Sequence, residues 1–572
     1  MSATAHKQWL CSSDLFQQIE LFIPMNPNTR SRIAICTLLW LILVVGPTWA
    51  QTPATPAKPV TLETPVSVMQ LSGFVITGNT LLPEDRLMKV LQPFKGERTM
   101  DELKQAALAV QDMYREAGYG AVIAYVPVQT AADGIATIAV MEGHFKHVEV
   151  IGNQRFSRAN ILRSLPLLKP GLTPQVRRID AQIQLANENP AKQVAVLLEA
   201  GEQQGDVDAH ITVTEAATQR WIASLDNTGN VATGRLRTNL TYLNSDLWDL
   251  DHQLTLQFQF APDKISSVAV LSANYHVPFY AQGLALDTFV AHSTVDGGNS
   301  ATAAGPLQFS GKGDVIGARL SKYLERFGEL DHRILLGLDR RAYINKCSIL
   351  GLPAGACGSA GENITVHPLS LEYSLKQPRG MPMGFDVSIN HNLALGGTYG
   401  NDANFDAVRA DAKRRYTNMR FNIFAGHLLG DQWQVQARVA GQLTQDALVS
   451  GEQFGLGGSN SVRGYGEREL QGDSGISGSA ELYTPDFAKA IGETFSRVRM
   501  LAFVDAGRVK NRLETFCRNL STSCSLLSAG AGLRLGAGPS QFRFDVAQSL
   551  RSAVSTKRND ISIHFQASYS FL

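Results

Sequence analysis

The chain has 572 residues, too many for one compact soluble domain and enough for two or three. Its 52 Lys and Arg against 51 Asp and Glu leave a formal net charge of +1, so no global field favours nucleic acid or an acidic partner. Aromatic residues at 8% and 50 glycines suit many strands and turns, and a mean hydropathy near zero excludes a bundle of membrane helices.

Near the start, Arg30 and Arg32 precede the apolar run 33–45, followed by Gly46-Pro47 and Thr48-Trp49-Ala50. A positive lead, a short apolar run and small residues at −3 and −1 make a secretory signal, cleaved after Ala50. The run is short of the roughly 20 residues that span a bilayer as a helix; a retained N-terminal anchor is the other reading. Met25 directly precedes a conventional positive segment, so within the signal region 1–50 residues 1–24 read as an over-long start. The Pro/Thr-rich stretch 51–66 is a flexible lead.

An internal repeat follows. Phe74-Val75-Ile76-Thr77-Gly78-Asn79 returns loosely as Val148-Glu149-Val150-Ile151-Gly152-Asn153. Each unit opens with a strand ending in a Gly-Asn turn, then becomes helical. In the first, Pro83-Glu84-Asp85 starts one helix. Thr99 and Glu102 form a capping box for a second, with Leu103, Ala107, Val110 and Tyr114 on one face and Gly118 at its end. Strands are expected over 121–128 and 134–141. In the second, Asn160 begins a short helix, Thr173-Pro174 caps another, and 194–198 and 207–213 are strands. Two β-α-α-β-β modules result, over 67–143 and 144–216. Their apolar stripes are core rather than a cofactor site, and their sheet edges could accept an added strand from an unfolded chain.

From about residue 217 the pattern changes to alternation. Leu254, Leu256, Phe258 and Phe260 alternate with Gln253, Thr255, Gln257 and Gln259; Ile561, Ile563, Phe565, Ala567, Tyr569 and Phe571 alternate with Ser562, His564, Gln566, Ser568 and Ser570. A soluble sandwich also alternates. Segments of 8–12 residues, joined by tight turns in some places and by the long loops 293–309 and 344–363 in others, instead point to an outer-membrane barrel. Sixteen antiparallel strands are expected, starting near Arg220, Gly234, His252, Val268, Ala285, Gly311, Asp331, Thr365, Pro382, Tyr416, Gln432, Ile476, Arg497, Leu526, Gln541 and Asp560.

Cys11 and Cys36 lie in the part removed on export. Cys347, Cys357, Cys517 and Cys524 form two local pairs in loop-like segments, read as two disulfide-closed loops in an oxidising compartment. Metal binding is the weaker alternative, without CxxC spacing or a nearby His. No phosphate loop, HExxH or zinc spacing occurs, so no cofactor, no metal and no enzymatic activity are expected.

Within the glycine-rich run 454–475 stands Val462-Arg463-Gly464-Tyr465, and Phe503-Val504-Asp505-Ala506-Gly507 follows about forty residues later. Together with the Gly-Asn repeat, Gly118-Tyr119, Asn189-Pro190, and Asp226-Asn227-Thr228-Gly229 before Thr233-Gly234-Arg235, these segments resemble the two-partner secretion transporters, the haemolysin-activator and filamentous-adhesin exporter family. The resemblance covers nearly all of the chain after the signal. It implies two polypeptide-transport-associated (POTRA) domains in the periplasm, a sixteen-stranded barrel over 217–572 in the outer membrane of a Gram-negative bacterium, and a lid loop over about 452–475. The tetrad is similar to the family's lid motif, Phe503, Asp505 and Gly507 to the strand motif that receives it, and Asp226, Asn227 and Gly229 to the barrel opening. Carried over, Arg463 pairs with Asp505; Gly464 permits a sharp turn and Tyr465 packs on the wall. The implied partners are a large secreted exoprotein held by the POTRA domains, outer-membrane lipid, and the outer-membrane assembly machinery during biogenesis. The family's pore-plugging helix has little room before residue 67, and the aromatic that often ends such barrels is penultimate here, Phe571 before Leu572. A barrel-assembly factor of the same superfamily, and an adhesion barrel with ligand-binding loops, are the alternatives. Gly472-Asp473-Ser474-Gly475 resembles the nucleophile segment of chymotrypsin-like proteases but lacks the accompanying His.

Overall fold

The computed structural model describes residues 68–571, apart from 130–131, 231–232, 266–267, 295–297, 303–304, 310–311, 345–361, 378–379, 513–516 and 518–520. The signal, the lead, a plug helix, Leu572 and the pair Cys347 and Cys357 lie outside the described residues.

The first module carries a three-stranded sheet in the order Gly73–Thr77, Ile135–Glu142, Val122–Tyr125, with helices Glu84–Leu91 and Met100–Glu116 packed on it. Leu103, Ala107, Val110 and Tyr114 are buried, and the Thr99–Glu102 capping box forms in both directions. A short strand between the helices, Gly96–Thr99, pairs with Val68–Leu71, an addition to the expected order. The second module has helices Arg158–Ser164 and Val176–Ala186 under a sheet ordered His144–Ile151, Asp206–Glu215, Lys192–Ala200. Two expected starts are corrected. Ser157, not Asn160, caps the first helix, because its hydroxyl accepts the Asn160 N–H at 3.0 Å. The second begins after Gln175 with no side-chain cap; Thr173 lies too far upstream to reach its free N–H groups.

The Gly-Asn repeat has a physical cause. Gly78 and Gly152 both take positive φ, 79° and 89°. A Cβ there would lie 2.2 Å from the Val140 carbonyl oxygen and 2.5 Å from that of Val213, so only glycine lets the turn close on the third strand. Each turn is then held by a glutamate at the end of that strand. Glu142 accepts the N–H groups of Thr80 and Leu81 at 2.8 and 2.9 Å. Glu215 accepts those of Gln154, Arg155 and Phe156 at 2.7–3.2 Å.

Residues 219–571 form a closed antiparallel barrel. It has sixteen strands, Ile364–Val366 and Pro368–Lys376 being two parts of one. Every strand begins within three residues of the expected start. Large apolar side chains such as Leu256, Phe258, Ile316, Ile389, Ile423, Met500, Val504 and Phe544 face outward and are exposed, while Gln259, Asn274, Asn390, Asn418 and Gln442 are buried inside. The polar–apolar alternation is thus inverted relative to a soluble core, as a lipid-facing wall requires. Trp221, Trp248, Phe279, Phe327 and Trp433 are exposed at the end nearest the POTRA modules, forming an interfacial girdle. That end carries mostly short turns; the strand ends that flank the longer stretches 294–311, 345–363, 393–416 and 445–473 lie at the other. No helix among the described residues is long and apolar enough to cross a membrane.

The second module is seated on the barrel. Lys192 is 1% exposed; its Nζ lies 2.5 Å from Asp251 Oδ2 and 2.6 Å from Asn160 Oδ1. Asp251, in a turn between barrel strands, also accepts the Tyr280 hydroxyl at 2.7 Å and the Asn189 amide at 3.0 Å. Glu188 pairs with Lys376 of the barrel wall at 2.9 Å.

Candidate functional site: a loop packed in the lumen

The connection 445–473 does not stay outside the barrel. Its short hairpin, Phe454–Leu456 with Leu470–Gly472, carries a tip whose Val462, Arg463 and Tyr465 are buried. The loop differs in extent from the expected 452–475: it begins earlier, and Ser474 and Gly475 already belong to the strand Ser474–Tyr483, where ladder pairing to Lys510 and Val509 resumes.

The structure brings Arg463 and Asp505 together. Arg463 is 2% exposed and Asp505 is fully buried. Nε donates to Asp505 Oδ2 at 2.7 Å and Nη2 to Oδ1 at 2.8 Å, a two-pronged contact, while the Arg463 backbone N–H adds a third bond at 3.1 Å. Nη1 lies 2.7 Å from Glu481 Oε1 and 3.7 Å from Asp545 Oδ2. The Ser479 hydroxyl donates to Asp505 at 2.7 Å. The guanidinium stacks over Phe503, 3.4 Å from the ring centroid, which explains an aromatic two residues before the acid on the same inward face. Asp545 is in turn held by Arg534 and Arg543 at 2.7 and 2.9 Å. A buried arginine thus meets a negative wall whose remaining charge is balanced by two further arginines.

The neighbouring motif residues complete the seat. Gly464, at φ 91°, donates its N–H to His564 Nε2 at 3.0 Å. The Tyr465 hydroxyl lies 2.8 Å from the carbonyl oxygens of both Leu527 and Arg551 and accepts the Arg551 N–H at 3.2 Å. Val462 packs with Leu456, Leu470, Val509 and Leu526. Two spaces of about 520 and 900 Å³ remain in the lumen, both bordered by Ser459 and Asn460 of the loop.

Asp226, Asn227 and Gly229 serve another purpose, at the seam where the first strand, Gln219–Asp226, meets the last, Ile561–Phe571. The ladder ends at the pair Gln566–Asp226, and the Asn227 side chain continues it, donating to the Ile563 carbonyl at 2.7 Å and accepting the Phe565 N–H at 2.9 Å. Asp226 accepts the Thr228 N–H and hydroxyl at 3.0 and 2.6 Å, and a Cβ at Gly229 would lie 2.1 Å from the Gly234 carbonyl oxygen. Cys517 and Cys524 are joined by a disulfide with a Cα separation of 6.2 Å, beside the apolar cluster under the loop.

Sequence reasoning missed the anchors of the loop's base. Glu452, 1% exposed, accepts from Arg341 at 3.0 and 3.2 Å and from the Tyr343 hydroxyl at 3.0 Å. Asp473 accepts two bonds from Arg409 at 2.5 and 2.9 Å and the N–H groups of Leu448 and Arg512. The protease-like Asp473-Ser474 is therefore a staple: the Ser474 hydroxyl bonds Thr444 across the ladder.

A POTRA pair under a closed barrel whose lumen holds an inserted loop defines a protein-secreting transporter of the outer membrane. Residues 205–535 match the family described as Haemolysin secretion/activation protein ShlB/FhaC/HecB, and residues 69–143 match the POTRA domain, ShlB-type; the chain belongs to this family. Among characterised proteins it is 23% identical over 455 residues to the outer membrane transporter CdiB of Dickeya dadantii, covering 76% of this chain and 74% of the relative. It is 23% identical over 500 residues to the heme/hemopexin transporter protein HuxB of Haemophilus influenzae, covering 82% and 81%. The fold is similar to that of CdiB from Escherichia coli, with a TM-score of 0.70 at 18% identity over 90% of this chain and 93% of that one. CdiB from Acinetobacter baumannii follows at 0.65 and 17%, over 91% and 94%.

Proposed function

We propose that the loop 445–473 is a conformational lid and that the Arg463–Asp505 contact is its latch. The observation that carries this reading is the burial of a three-bond arginine–carboxylate contact at the tip of a loop lodged in the lumen. An unfolded exoprotein, large and secreted, is received by the POTRA modules through strand addition at a sheet edge and passes once the tip leaves the wall. The outer-membrane assembly machinery inserts the barrel. Strand addition is supported by Gly73–Thr77 and Val122–Tyr125 lying at the edges of the first sheet, with Val75 and Ile123 exposed. No nucleotide-binding motif occurs in the sequence, and folding of the cargo outside the cell supplies the driving force.

Arg463→Ala strands Asp505 and should cost the closed lid about 3–5 kcal/mol. The expected outcome is a lid that no longer returns to its seat between cargo molecules, and so impaired secretion of the exoprotein with normal abundance and insertion of the barrel, measured by immunoblots of medium and membrane fractions. Undiminished secretion at equal abundance would sink the lid reading.

A further inference from the structure

On the outer wall, five adjacent strands align their outward side chains in two rows, with Ala273, Thr288 and Ala318 as small residues among larger ones. The register aligns Leu254, Tyr275, Thr288, Ala318 and Leu338 in one row, and Leu256, Ala273, Val290, Ile316 and Arg340 in the next. Both rows face outward, since Leu256, Val290, Ile316 and Leu338 are exposed. Where Ala273, Thr288 and Ala318 fall, the wall sinks into a groove of about 510 Å³. It crosses four inter-strand spacings of about 4.8 Å, roughly 19 Å in all.

One end of the groove is charged. Arg340 is exposed on the lipid-facing side, close to the end of strand Asp331–Ile344 opposite the POTRA modules. It makes no ion pair or hydrogen bond among the described residues. By continuity of register from Arg341–Val366 and Leu338–Leu369, it stands opposite His367, which also lines the groove. Leu395, 63% exposed, overhangs the same end from a long loop. The inward arginines near it, Arg319 and Arg341, both pair with Asp339. An outward arginine in a lipid wall needs an anion, and no described residue pairs with Arg340.

We propose that this groove is a binding site for a phosphate-bearing lipid of the outer leaflet, its phosphate on Arg340 and His367 and an acyl chain along Ala273, Thr288 and Ala318. Arginine matches phosphate with two parallel N–H donors, and the site lies where headgroup phosphates meet the barrel.

The test uses the mature full-length chain, delipidated in detergent, with bis-phosphorylated lipid A as the probe and native mass spectrometry as the readout. Heat-modifiable migration on gels checks the fold of each variant. One lipid retained per chain is expected, with at least tenfold weaker retention in Arg340→Gln and substantial recovery in Arg340→Lys. Ala318→Trp, which fills the floor and leaves the charge, should also lose the lipid. Dephosphorylated lipid A should bind at least tenfold more weakly, and millimolar inorganic phosphate should not displace the probe. Equal binding by Arg340→Gln, by Ala318→Trp or by the dephosphorylated lipid, or displacement by inorganic phosphate, would overturn the proposal.

Discussion

A Cβ on Gly507 would lie 2.3 Å from Leu456 Cδ1 and 3.0 Å from the Ile476 carbonyl oxygen, so this glycine is the notch into which the loop's hairpin drops. Gly507→Ala is expected to lift the hairpin and raise channel conductance in planar bilayers, and adding Leu456→Ala should restore the parent value. A closed channel in the single variant would show that the notch is dispensable. Glu142 makes a separate prediction in the first POTRA. Burial alone would raise its pKa, but the Thr80 hydroxyl, the Leu81 and Thr80 N–H groups and the Tyr114 hydroxyl hold its carboxyl below the usual carboxylate range. A depressed value contributes stability above the unfolded value of about 4.5 and loses it as pH falls through the folded value. Acid unfolding of the first POTRA should therefore steepen below about pH 4.5. Glu142→Gln should flatten that slope and cost about 1–3 kcal/mol at neutral pH, read by circular dichroism. Arg463 and Asp505 were legible from their short motifs. Glu452 and Asp473 were not, because Arg341 is 111 residues from Glu452 and Arg409 is 64 from Asp473. Those pairs exist only once the loop's path across the lumen is known, and a single acid in a polar stretch carries no trace of it.

At the scale of elements, the barrel strands were readable because two unlike solvents act on one wall. Lipid outside and a polar lumen inside impose a period of two on every strand, and the register follows from it. Helix starts in the second POTRA were less readable: Thr173-Pro174 has the chemistry of a cap but not its geometry. How the second POTRA meets the barrel was not visible at all. Asn189 appeared only as part of a motif, whereas the structure shows it bonding the Ser245 carbonyl at 2.8 Å and Asp251 at 3.0 Å. Burial holds the Lys192 amine below its ordinary value, and Asp251 opposes that by keeping it charged. Lys192→Ala leaves Asp251 uncompensated and is expected to cost about 3–5 kcal/mol at this junction. The double change Lys192→Met with Asp251→Asn should cost less. Limited proteolysis between the POTRA pair and the barrel measures both, and equal susceptibility of the two variants would argue against a stranded charge.

For the whole molecule, the outward apolar rows and the aromatic girdle require a membrane. The folded chain should need detergent to stay in solution and should migrate faster unheated than heated on gels; a water-soluble folded form would contradict the barrel. Loss of the gene product is expected to abolish release of one large exoprotein and to leave other outer-membrane proteins at normal levels. Broad depletion of those proteins would instead indicate an assembly role. Either outcome is read by proteomics of medium and envelope.

The seam carries a consequence for biogenesis. Asn227 bonds backbone groups 336 and 338 positions further along the polypeptide. No ring can therefore be completed until the strand carrying Ile563 and Phe565 has been made and has reached the periplasm. Contacts this distant in sequence form slowly, so the nascent molecule must survive as an open, sticky ribbon in the meantime. Its need for escort is written into where its two ends join.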